Sequence, residues 1–165
     1  MLRHRPSLIV LAAGRGSRFA GRVHKLAQPL GTSTVLASTL VHAIASALPV
    51  LVVTTEALAP IARLHVAARD IVVLPEVGSE PGLGMGRSIA TGVAARADAP
   101  GWLILPADMP LVRPTTMIAV AQALEQHPVA YAQFEGRRGH PVGFAAELFS
   151  ELVRLDGDEG ARRLV

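Results

Sequence analysis

Leu8-Ile9-Val10-Leu11-Ala12-Ala13-Gly14-Arg15-Gly16-Ser17-Arg18 begins as an unbroken apolar run and ends in glycines and arginines. A run that is apolar at every position, rather than at alternate ones, suits a strand covered on both faces. Glycines directly after it suit a loop whose backbone must approach another group closely. Three further runs share this character: Val50-Leu51-Val52-Val53, Ile71-Val72-Val73-Leu74 and Trp102-Leu103-Ile104-Leu105. Thr34 to Leu48, Ala57 to Ala68, Gly86 to Ala97 and Pro114 to Gln126 have helical length and composition, with Pro114 where a first helical turn tolerates it. Strands and helices in this alternation predict an α/β chain with a mostly parallel sheet and helices on both of its faces.

The pattern changes after Pro128. Ala130 to Glu135 and His140 to Phe144 are strand-like and are separated by Gly136-Arg137-Arg138-Gly139, which predicts a hairpin or two edge strands as a small β extension beside the parallel core. Glu147 to Leu155 reads as a short helix, and Gly157 to Val165 as the start of another. No repeat, low-complexity tract or linker divides the sequence, so residues 1–165 read as a single domain.

Composition narrows the function classes. With 165 residues, 50% hydrophobic and 18% charged, the chain has the makings of one compact core that buries roughly two thirds of its unfolded surface. The absence of cysteine excludes disulfides, thiolate zinc sites and a cysteine nucleophile, so any metal must be held by oxygen or histidine. The net charge of +3 is small and dispersed, and aromatics are only 4%; this argues against nucleic acid and for a phosphorylated small molecule as the anionic partner. Leu8 to Ala13 is too short for the apolar part of a signal peptide. Thr34 to Thr55 is long enough to span a bilayer but is divided by Pro49 and carries His42, Thr34, Ser38, Thr39 and Ser46, so a helix followed by a buried strand is expected there. The chain reads as soluble and cytoplasmic, without a membrane partner.

In an open α/β sheet the ligand lies beyond the carboxyl ends of the strands, so the loops after Leu11, Leu74 and Leu105 should converge on one crevice. The first loop, Gly14 to Lys25, holds Gly14, Gly16, Gly21, Arg15, Arg18, Arg22 and Lys25. Glycines let backbone N–H groups reach phosphate oxygens and the basic side chains neutralise them; a plain surface turn is the alternative. It is not a Walker loop, since Arg22-Val23 follows Gly21, nor a dinucleotide fingerprint, since Phe19 stands where a third glycine is required. The second, Leu105-Pro106-Ala107-Asp108-Met109-Pro110, places a carboxylate where it could hold magnesium against phosphates, or merely cap a turn or the next helix. Gly82-Leu83-Gly84-Met85-Gly86-Arg87-Ser88 opens a helix whose free N–H groups suit an anion or the polar edge of a base, or is simply a flexible connection. In Arg138-Gly139-His140-Pro141 the histidine is either a proton carrier or phosphate ligand, or structural; Asp158 and Glu159 also suit a plain helix start.

Leu11-Ala12-Ala13-Gly14 with Ser17-Arg18 and Lys25, Gly84 to Gly92 with Ser88, Asp108-Met109-Pro110, Arg138-Gly139-His140-Pro141-Val142, and Gly157-Asp158 with Gly160-Ala161-Arg162 occur in an order spanning nearly the whole chain. Together they resemble the MobA-like NTP transferases, and within them the molybdenum cofactor cytidylyltransferase branch. The resemblance implies a three-layer, Rossmann-like nucleotidyltransferase fold and transfer of CMP from CTP to the terminal phosphate of molybdopterin, releasing pyrophosphate. Ala13 carries the choice of CTP, because GTP-using relatives usually have glycine there. It further implies that Leu11, Ala12, Ala13, Gly14, Gly16, Ser17, Gly84 and Ser88 bind the nucleotide. Arg18, Lys25 and Asp108 would be catalytic, Asp108 and Asp158 would hold Mg2+ or Mn2+, and Arg138 and His140 would face the acceptor. A molybdoenzyme or its insertion chaperone is the implied protein partner. The sequence departs from the family at Phe19-Ala20-Gly21 and at Gly86-Arg87, where small hydroxyl residues are common. The family pattern also continues beyond Gly160-Ala161-Arg162 with another strand and helix, so the domain is expected to stop short of both. A GTP-using relative, a cytidylyltransferase for another phosphorylated acceptor and a nucleotide- or cofactor-binding module without turnover are the alternatives.

Overall fold

The computed structural model describes residues 5–13, 27, 29–30, 33–75, 84–157 and 160–165. Its first strand, β1 (Ser7–Ala12), is buried at every position. It lies parallel between β4 (Val50–Thr55) and β6 (Gly101–Pro106), and β5 (Ile71–Leu74) continues the sheet beyond β4. The helices are α1 (Val35–Ala45), α2 (Ala59–Arg63), α3 (Met85–Ala95), α4 (Pro114–Ala123) and α5 (Phe149–Leu152). Leu8, Val10 and Ala12 point into one core with Leu36, Leu40, Ala62 and Met117, whereas Ile9 and Leu11 point into a second with Ile89, Val93 and Leu152. Two cores explain why Leu8 to Ala12 of β1 have no polar alternate positions.

A two-residue antiparallel pair, β2 (Pro29–Leu30) and β3 (Ser33–Thr34), precedes α1. Thr34 caps that helix, its hydroxyl accepting from the Ala37 N–H at 3.1 Å. The helix ends earlier than its composition predicts because Ala47 takes a left-handed conformation, φ 63°, just before Pro49. The stretch weighed as a membrane span is therefore a helix and a strand, and among the described residues no helix is long and apolar enough to cross a membrane. The helix expected over 57–68 is only α2 followed by a 3-10 turn at Ala68–Asp70; its inward stripe is short, and Leu64 beyond it is 81% exposed. Near the carboxyl terminus, the expected helices are likewise reduced to 3-10 turns at Ala146–Leu148 and Arg162–Leu164 around the four-residue α5.

The hairpin differs more. Glu135 and Gly136 both have positive φ, 50° and 78°, and complete the reversal between β7 (Val129–Phe134) and β8 (Arg137–Ala145) in two residues. Arg137, Arg138 and Gly139 consequently belong to a strand rather than to the turn. β8 is not at the edge either: it inserts antiparallel between β6 and β7, giving one six-stranded sheet in the order β5-β4-β1-β6-β8-β7. Pro141, which has no N–H to give, falls in the irregularity between the pairs Gln133/Arg138 and Tyr131/Val142.

α3 reaches the sheet through Gly92, where an added Cβ would lie 2.8 Å from Ile9 Cγ2 and 3.2 Å from Val53 Cγ2. Alanine is the better helix former by about 1 kcal/mol, but overpacking here costs about 1–3 kcal/mol. Gly92→Ala is expected to lower the urea midpoint; an unchanged or raised midpoint would show that the layers can separate freely.

Candidate active site

The carboxyl ends of β1 and β6 are joined by backbone contacts. Leu11 pairs with Pro106, and the Ala107 N–H donates to the Leu11 carbonyl at 2.9 Å. The Ala12 carbonyl accepts from the Thr54 hydroxyl at 3.2 Å, so the chain leaves β1 in a direction set from both neighbouring strands. Leu11 and Ala12 are buried and Ala13 is half-buried. Gly14, Gly16, Ser17, Arg18 and Lys25, expected to form the loop that follows, lie outside the described residues, as does Asp158.

Asp108 is exposed in the turn after β6, between Ala107, which is 1% exposed, and Met109, which packs against the first core. It does not cap α4, whose N-cap position is Arg113 and has no side-chain bond to the helix. The Ala107 carbonyl accepts from the Thr39 hydroxyl of α1 at 2.7 Å, a contact across 68 positions of sequence. Nothing in the local pattern around Thr39 announces it.

β8 runs past the last β6–β8 pair, Ile104/Val142, and so carries Arg138, Gly139 and His140 to the end of the sheet where Asp108 sits. Burial pushes the His140 pKa below its ordinary value, and the negative charge of Asp108 partly offsets this. Its imidazole is therefore mainly neutral at pH 7, able to donate one hydrogen bond and accept another. Arg138 is exposed, its guanidinium 4.9 Å from the centre of the Tyr131 ring.

Arg138 and His140 border a cavity of about 400 Å³ with an apolar floor of Ile104, Val142 and Phe144. Met85 and Ile89 of α3 form its wall, and Arg162, to which the sequence motifs give no role, adds a second arginine. Gly84 is the N-cap of α3 and Ser88 is buried within it, 7% exposed, and does not border the cavity.

Gly86 has a clear steric reason. Its N–H donates to the Gly157 carbonyl at 3.0 Å, and a Cβ would lie 2.6 Å from the Asp156 carbonyl oxygen. The departure from small hydroxyl residues is thus a close approach of two backbones. At Gly160, φ 60°, an added Cβ would lie 3.1 Å from Met85 Sδ. Gly157 and Gly160, which bracket Asp158 in sequence, therefore both abut the first turn of α3. Pairing the glycines of 84–86 with those of 157–160 was the available sequence signal. Among the described residues no group of three or more His, Asp or Glu side chains could hold a metal ion.

The sequence model of the MobA-like NTP transferase domain matches residues 8–165. The bifunctional protein GlmU of Cereibacter sphaeroides is 35% identical over 152 residues, covering 86% of this chain and 32% of GlmU; the chain thus spans about a third of the length of the curated relatives it matches. Rv0371c from Mycobacterium tuberculosis H37Rv superposes with a TM-score of 0.80 at 27% identity, covering 98% of this chain and 81% of that one. A second structure of Rv0371c, in complex with manganese, gives 0.77 and 26% over the same shares. A nucleotidyl transferase from Methanothermobacter thermautotroptrophicus gives 0.66 at 26%, covering 93% of this chain and 78% of the other.

Proposed function

This chain belongs to the MobA-like NTP transferase family, and from that we propose that it transfers CMP from CTP to the terminal phosphate of molybdopterin, releasing pyrophosphate. An oxygen of the acceptor phosphate attacks the α-phosphorus in line; the new O–P bond forms as the bond to the bridging oxygen breaks, and pyrophosphate carries the electron pair away. A phosphate monoester is already largely deprotonated at neutral pH, so no side chain has to remove a proton or act as nucleophile. The work left to the protein is holding two anions in line and balancing charge.

The observation that carries this reading is the bond from Ala107 to Leu11, which puts Asp108 next in the chain to a residue bonded to the strand end that leads into the glycine-rich loop. On this reading Gly14 and Gly16 cradle the triphosphate, Arg18 and Lys25 clamp its charge, Ala13 favours CTP, and Gly84 and Ser88 serve the nucleoside side. Asp108 fits Mg2+ or Mn2+, with Asp158 as the second carboxylate. An exposed, hard oxygen donor suits a cation held by one or two carboxylates plus phosphates and water. The manganese complex of Rv0371c supports a divalent ion. When bound, such an ion offsets charge on the triphosphate.

The acceptor side is the cavity at Arg138, His140 and Arg162, whose apolar floor and cationic rim match a ring system bearing a phosphate. Arg138→Ala is expected to raise KM for the acceptor on the order of tenfold and leave KM for CTP unchanged; equal change in both would remove Arg138 from the acceptor side. A molybdoenzyme or its insertion chaperone would receive the product.

The deciding experiment measures pyrophosphate release by the purified protein with each nucleoside triphosphate, with and without molybdopterin, in Mg2+ or Mn2+. Release with CTP and pterin together is expected. Release with GTP in place of CTP rejects the nucleotide, release with a different phosphorylated acceptor alone rejects the pterin, and binding without release favours a delivery module.

A further inference from the structure

Thr39 lies in the middle of α1 with no exposed surface, and its hydroxyl is 2.7 Å from the Ala107 carbonyl and 3.1 Å from the Val35 carbonyl. A threonine inside a helix ordinarily satisfies its hydroxyl with the carbonyl four residues earlier. The hydroxyl has one proton to give, and the shorter contact directs it to Ala107. Ala107 is thereby held at three points: its methyl is buried in the first core, its N–H is bound to Leu11 and its carbonyl is bound to Thr39. That carbonyl belongs to the peptide unit that leads into Asp108. Fixing the plane of this unit fixes the Asp108 nitrogen and Cα, the point from which its side chain leaves the backbone.

We propose that Thr39 is a positioning residue that aims the Asp108 carboxylate at its metal and triphosphate by holding the Ala107 carbonyl from inside the core. This rests on the reading of Asp108 as a metal ligand. Partners of this outer kind typically contribute a factor of about 10 to 100 in metal affinity or activity. Thr39→Val keeps the branched shape and removes the proton donor, leaving a buried carbonyl without its partner. Thr39→Ser keeps the donor and removes only a methyl.

The test titrates Mn2+ alone into each folded variant by calorimetry, with circular dichroism melts alongside and amide exchange read at Ala107. Thr39→Val is expected to bind Mn2+ about 10- to 100-fold more weakly and to exchange its Ala107 amide faster, whereas Thr39→Ser matches the parent in both. Wild-type affinity in Thr39→Val, or weakened affinity in a well-folded Thr39→Ser, overturns the proposal. If Thr39→Val does not fold, Thr39→Ala takes its place under the same criteria. Asp108→Asn separates the two levels. If it loses Mn2+ binding while Thr39→Val keeps it, the role of Thr39 is wrong and that of Asp108 stands. If Asp108→Asn binds Mn2+ normally, the metal reading of Asp108 fails and the role of Thr39 falls with it.

Discussion

Asp108→Ala is expected to lower CTP-dependent pyrophosphate release about a hundredfold or more, the usual consequence of removing one preorganised charge contact from a transfer site. The fold should survive. Asp108 is exposed, and its turn is anchored by the buried methyl of Ala107, the half-buried Met109, the backbone bond to Leu11 and the Thr39 bond to the Ala107 carbonyl, all of which the substitution leaves in place. Circular dichroism should therefore be unchanged while turnover collapses, and raising Mg2+ or Mn2+ should restore little of it. Chelation of the divalent ion from the wild-type protein should reproduce the loss, and returning the ion should reverse it. Lys25→Ala should lose turnover to a similar degree, because the positive charge that the proposed function places on the triphosphate would be gone. A purified Asp108→Ala protein that released pyrophosphate at a near-normal, magnesium-dependent rate would show that the carboxylate at the end of β6 is a turn residue and nothing more.

Trp102→Ala is expected to cost about 3–5 kcal/mol, a large share of the roughly 5–15 kcal/mol that holds a domain of this kind together. Trp102 is completely buried in β6 and its Nε1–H donates to the Arg96 carbonyl at 2.9 Å. Its ring centre lies 5.9 Å from that of Phe149. Truncation thus opens a cavity between β6 and α5 and takes one of two donors from the Arg96 carbonyl, at the end of α3, which keeps the Ala99 N–H at 3.0 Å. Urea unfolding followed by far-ultraviolet dichroism is the suitable measurement, since this is the only tryptophan and its fluorescence is lost with it. Trp102→Phe should cost much less by keeping most of the apolar volume. Equal losses in the two variants would place the stabilisation in the hydrogen bond rather than in packing.

The parallel half of the sheet was legible in the amino-acid sequence because strands covered on both faces, as β1, β4 and β6 are, must be apolar throughout, a local property; β5 carries the same kind of run at the sheet edge, with Val73 exposed. Ile71 to Leu74 is the observed β5 residue for residue, and the other three runs lengthen only by one or two positions at their ends. The motif order from Leu11 to Arg162 was equally legible, and with it the family. The place of β8 was not: alternation reports that a strand is partly buried, not which strand lies beside it, and the two-residue turn at Glu135-Gly136 depends on positive φ at a glutamate. Gly86 looked like a departure until Asp156 and Gly157 were found against it. Thr39 looked like one polar residue in an apolar helix until its hydroxyl was found on the Ala107 carbonyl. The sequence therefore determined the apolar frame, the order of the motifs and the family, which depend on residue type and short spacing. Tertiary structure alone decided which backbone atoms meet across 68 or 70 positions, because a hydrogen bond or a missing Cβ between distant segments leaves no period in either one.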